Sequence, residues 1–85
     1  MEKQLKDKKM ADTEKEWRIR PYYKGELALA YAPYLCTASA VNRLMLWIRG
    51  NPALYEALQH TGYRSTQRIF TSRQVELIFH FLGEP

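Results

Sequence analysis

Pro33 constrains this chain more than any other residue. It stands inside a helix-forming stretch, Lys24 to Arg49. A proline there removes a backbone donor and clashes with the preceding turn, so one helix must become two. The first covers Gly25 to Ala32, with Leu27 and Tyr31 one turn apart on one face and Ala28 beside them. Tyr34-Leu35-Cys36 makes the bend, with Leu35 as its apolar plug. Thr37 suits the cap of the second helix, which runs to Arg49 before Gly50 stops it. Its inward face is Val41, Leu44 and Ile48, widened by Ala40 and Trp47. The opposite side carries Ser39, Asn42, Arg43, Leu46 and Arg49.

Two more helices follow. Asn51-Pro52 opens the third with a capping side chain and a proline at the first helical position. Leu54 and Leu58 form its core stripe, and it runs to Thr61 before Gly62. Tyr63 to Phe70 is extended, with Arg68-Ile69-Phe70 as its strand-like end. Thr71 caps the last helix and Gln74 completes a capping box, with Phe70 placed to staple onto Val75. Val75, Ile78, Phe79 and Leu82 then recur at helical spacing until Gly83. Near the start, Trp17-Arg18-Ile19-Arg20 alternates apolar with cationic, the period of a short half-buried strand that Pro21 ends. The spacing predicts a mainly α domain over residues 17–85. It has four helices and one or two short strands, in a helix-turn-helix or winged-helix-like arrangement. Residues 1–16 are Lys, Asp and Glu with hardly an apolar residue, which predicts a flexible tail.

Composition narrows what such a domain does. Eighty-five residues make one domain with a modest core. Cys36 is the only cysteine, which excludes an internal disulfide or a cysteine-rich zinc site and suggests a small buried apolar residue. No apolar run approaches the roughly twenty residues that span a bilayer, and no secretory signal opens the chain, so a cytoplasmic protein is expected. His60 and His80 have no second ligand placed to match them, so no metal is expected. No Ser, Thr or Lys is paired with a base and an orienting group. The expectation is therefore a non-enzymatic protein with no cofactor and no small-molecule ligand.

Charge points to a partner instead. Residues 1–17 hold five Lys and five acids, whereas residues 18–85 hold seven Arg and one Lys against four acids, a net +4. Asn and Arg side chains can read adenine and guanine edges by paired hydrogen bonds, and Arg also holds phosphates. In a helix-turn-helix the second helix enters the major groove of double-stranded DNA. Ser39, Asn42, Arg43 and Arg49 are then the groove-facing residues, with Lys24, Arg64 and Arg68 on phosphates. Arg18, Arg20 and Arg73 would adjoin that patch if the extended segment forms a wing with Trp17–Arg20. The alternative is an interaction adaptor or homodimer. Leu46, in the middle of the stripe, suits a protein partner. Phe79 and Phe81 lie about 200° apart on one helix, so one of them is partly exposed as a second contact. The six tyrosines could stack on single-stranded bases, but their spread over three helices and loops suits core and rim packing better.

Two resemblances accompany these residues. Ile19 to Tyr22, Lys24–Ala28, Trp47-Ile48, Asn51–Leu54, Gly62-Tyr63, Arg68–Val75 and Leu82–Pro85 together resemble a family of small Bacteroidales proteins known only as a domain of unknown function. That resemblance implies domain limits and no activity. Gly25-Glu26-Leu27-Ala28, with Arg68-Ile69-Phe70-Thr71 followed by Gln74-Val75 and Ile78, is similar to the winged-helix DNA-binding domain of mercury-resistance-type regulators. It implies that Arg68 supports a wing and a backbone phosphate. The bend here is longer, the helix Pro52 to Thr61 stands in the place of the wing, and the chain ends at Pro85 without a dimerisation helix. The implied protein is thus a DNA-binding module rather than a sensor-regulator.

Overall fold

A computed structural model describes residues 17–85; the charged segment 1–16, expected to be a flexible tail, lies outside the described residues. The order is β1 (Tyr22–Tyr23), α1 (Lys24–Tyr31), α2 (Thr37–Arg49), α3 (Pro52–Gln59), β2 (Ile69–Phe70) and α4 (Ser72–Leu82). Among the described residues the fold is mainly α, with four helices and one antiparallel ladder pairing Tyr22 with Phe70 and Tyr23 with Ile69. Alternation along each strand turns Tyr22 and Phe70 into the core and leaves Tyr23 and Ile69 exposed.

Local chemistry explains where the helices begin and end. Pro33 separates α1 from α2 as the sequence requires, and Leu35 packs against the core from the bend. At α3, Asn51 Oδ1 accepts from the Leu54 amide at 3.1 Å, with Pro52 at the first helical position. At α4, Thr71 Oγ1 accepts from the Gln74 amide at 3.2 Å while Gln74 Oε1 accepts from the Thr71 amide at 3.0 Å, a complete capping box. After α4, Gly83 adopts φ of 85°, a left-handed conformation that side chains resist.

Three expectations are corrected. The first strand is Tyr22–Tyr23 rather than Trp17–Arg20. Pro21 has no amide to give a ladder, so pairing with Ile69–Phe70 begins after it, and Ile19 stays exposed. Arg20 instead lies 3.8 Å over the Tyr22 ring and pairs with Glu26 at 3.0 Å.

The inward face of α2 is also turned from the expected one. Ala40, Leu44 and Ile48 are buried as expected, but Met45 is buried where Trp47 was expected, and Trp47 is 37% exposed. On the Met45 side, the Tyr63 hydroxyl donates to Met45 Sδ at 3.3 Å, and the segment after α3 covers the flank. On the other side, Trp47 meets the Tyr31 ring edge-on at 5.9 Å. Finally, Cys36 is exposed rather than buried, because Leu35 takes the inward position of the bend and the next residue faces out.

Candidate nucleic-acid interface

The outward side of α2 presents Ser39, Asn42, Arg43 and Leu46, all exposed. Leu46 is 59% exposed and sits opposite the buried Leu44–Ile48 face. Arg49, also exposed, lies towards the α3 side of this stripe. There burial raises the pKa of the Tyr63 hydroxyl, the neighbouring Tyr55 adds to the rise, and the Arg49 charge opposes it.

A second group forms around the turn before β2. Lys24 opens α1, and its backbone amide donates to the Arg68 carbonyl at 2.7 Å. Its Nζ donates to the Ser65 carbonyl at 2.6 Å. Partial burial lowers its pKa. One of the three ammonium protons is therefore already engaged with the turn. Arg64 and Arg68 flank the same turn and are exposed. Arg20 and Arg73 are less available, being paired at 3.0 Å with Glu26 and Glu76 respectively.

The turn is held by a polar network centred on buried Gln74. The Gln67 amide group donates to Ile69 O at 2.8 Å and to Gln74 Oε1 at 2.7 Å, while its own oxygen accepts from the Arg64 amide at 2.8 Å. Gln74 is 1% exposed and donates in turn to Thr61 Oγ1 at 2.9 Å. The Thr61 hydroxyl donates to Leu58 O at 2.6 Å. Sequence reasoning found Gln74 as a cap and missed the rest, because Gln67 and Thr61 meet it only through the path of the loop.

The two groups are joined through Gly25. A Cβ at that position would lie 3.0 Å from Thr37 Cγ2, so glycine lets the first turn of α1 approach the first turn of α2. Lys24 and the turn it holds thus lie at the end of α2 where Ser39 sits. Next to it Cys36 Sγ and Ser39 Oγ are hydrogen-bonded at 3.4 Å. With the serine hydroxyl donating to the thiolate, that contact, and then the first-turn amides, hold the thiol pKa below its ordinary value.

Of the two phenylalanines read as a partner contact, Phe79 is a correction. It is 8% exposed and packs against Tyr22 with ring centroids 6.3 Å apart, which places it in the core. Phe81 is half-buried, with His80 edge-on against it at 5.0 Å. Among the described residues, no three His, Cys, Asp or Glu side chains gather as metal ligands. No helix among them is long and apolar enough to cross a membrane.

Neither a curated protein nor a solved structure matches the chain. One family does match, over residues 18–85, taking in both strands, all four helices and every residue of the stripe and the turn. The chain belongs to that family, described as a domain of unknown function (DUF4248).

Proposed function

We propose that this domain is a small, non-enzymatic DNA-binding or DNA-associated accessory module, working in the cytoplasm, in which α2 is the second helix of a helix-turn-helix. The supporting observation is the outward face of α2, with Ser39, Asn42 and Arg43 exposed together next to a cationic turn. Asn42 and Arg43 are the residue types that grip adenine and guanine edges in pairs of hydrogen bonds. Arg49 extends the stripe along α2, and Lys24, Arg64 and Arg68 supply charge for phosphates, which position a protein without reading sequence. The similarity of Gly25–Ala28 and Arg68–Ile78 to a winged-helix DNA-binding domain is further support.

Titration of the labelled protein with a mixed-sequence duplex at low salt, followed by two-dimensional NMR, tests this function. Shifts should cluster on 39–49 and 64–68 and fade as salt rises. If about four phosphates are neutralised, log affinity falls with log salt with a slope of about −3.6. Arg43→Ala should weaken binding by about 1–3 kcal/mol. Equal binding by wild type and the Arg43/Arg49 double alanine variant would overturn the proposal.

Leu46 favours a second function, a protein-interaction adaptor or small homodimer. A leucine exposed to 59% at the centre of a polar stripe buries apolar area only against a partner. Contacts through Leu46 and Phe81 would be nearly indifferent to salt, the opposite of the DNA result.

A further inference from the structure

We propose that the groove between the C-terminal ends of α1 and α4 binds the ammonium group of a lysine side chain carried on a partner polypeptide. This site is independent of the DNA function, since it lies on another flank of α2, with Trp47 about 100° round the helix from Leu46. It is an open groove of about 350 Å³ lined by Tyr31, Trp47, Leu82 and Glu84.

Three features make the groove attractive to a cation. Tyr31 and Leu82 are the last residues of α1 and α4, so two helix C-termini converge, each with outward carbonyls and partial negative charge. The last turn of α1 holds no basic residue to offset this, and in α4 the His80 ring is packed edge-on against Phe81. Glu84 adds a full negative charge, and neither ion pair among the described residues includes it. Burial first, and then this carboxylate, raise the pKa of the Tyr31 hydroxyl, which places Glu84 within electrostatic reach of the ring.

The aromatic rings complete the site. Tyr31 and Trp47 stand at 81° to each other, and the Tyr31 hydroxyl donates to the Gly83 carbonyl, which pins the ring before any ligand arrives. Aromatic faces attract ammonium groups, most strongly at tryptophan. On a chain of net charge +4, a groove built from a carboxylate, two helix C-termini and two rings departs in sign from the whole. Its openness decides the source of the cation. A free small molecule is held by burying most of its surface, whereas the tip of a side chain needs only partial cover because its polypeptide supplies the remaining contacts.

The probe is a capped pentapeptide with one central lysine among alanines, whose backbone can supply those remaining contacts, added to the nitrogen-labelled full chain while the Trp47 indole N–H is followed, with Trp17 as internal reference. A saturable Trp47 shift is expected, absent with the neutral norleucine analogue. Glu84→Gln, at an exposed position, should weaken it by about threefold, the scale of one exposed charge contact. No saturable shift, an equal shift from the norleucine analogue, or indifference to Glu84→Gln would each overturn the proposal. Saturation by tetramethylammonium at lower concentration than by the lysine probe would also overturn it, by assigning the groove to free amines.

Discussion

The first turns of α4 and α2 solve the same problem in opposite ways. Every helix begins with amides that lack intrahelical partners. At α4 they are met by a complete capping box whose Gln74 is buried and tied to Thr61 and Gln67 as well. At α2 the cap residue is Cys36 rather than the expected Thr37, which lies inside the first turn, and Cys36 makes no side-chain cap bond and leaves an exposed thiol beside Ser39. One start is closed into the core and holds a loop in place; the other is open to solvent at the edge of the proposed interface. A small domain with little stability to spare keeps its firm polar bonds where a loop must be anchored.

Three measurements press on that contrast. Gln74→Leu has the largest expected effect, because it removes the bonds that buried Gln74 makes to Gln67, Thr61 and Thr71, at about 1 kcal/mol for each. Urea unfolding should show a loss of about 3 kcal/mol, allowing for partial relaxation around the site. A loss below about 1 kcal/mol, no more than an ordinary exposed cap contributes, would mean that the network adds nothing to the capping box.

Thr71→Ala removes only the cap acceptor and should cost about 1 kcal/mol in the same assay. If it matched Gln74→Leu, the cap and the network would be a single unit.

The smallest effect concerns the open end. The folded Cys36 thiol has a lowered pKa, so it favours the folded state above the unfolded pKa and loses that contribution as pH falls through the folded pKa. Its alkylation by iodoacetamide should therefore reach half-maximal rate at lower pH in the native protein than in urea. Ser39→Ala should move that midpoint upward, since the Ser39 hydrogen bond is the principal cause of the shift. Coincident midpoints for native and unfolded chain would show that the open start of α2 exerts no pull on the thiol.

Much of the fold was legible because its signals are local. Pro33, Asn51-Pro52 and the Thr71–Gln74 pair each act within a turn or two of their own position, and the helices begin or break where those residues require. The candidate stripe was legible for the same reason, since helical periodicity alone places Ser39, Asn42, Arg43 and Leu46 opposite Leu44 and Ile48. The misses share the opposite property. Whether Met45 or Trp47 closes the flank of α2 depends on where Tyr63 arrives, 18 residues along the chain from Met45.

By itself, then, the sequence determined four helices, the caps of α3 and α4 and the polar face of α2, because i to i+4 geometry is written in neighbouring residues. Only the tertiary structure decided which strand pairs with Ile69–Phe70 and how closely Gly25 lets α1 approach α2. It alone set Lys24 on the turn held by Gln67 and Gln74, and gathered Tyr31, Trp47, Leu82 and Glu84 into one groove. These are contacts between residues far apart in the chain, set by how the helices pack against one another, and no local periodicity encodes them.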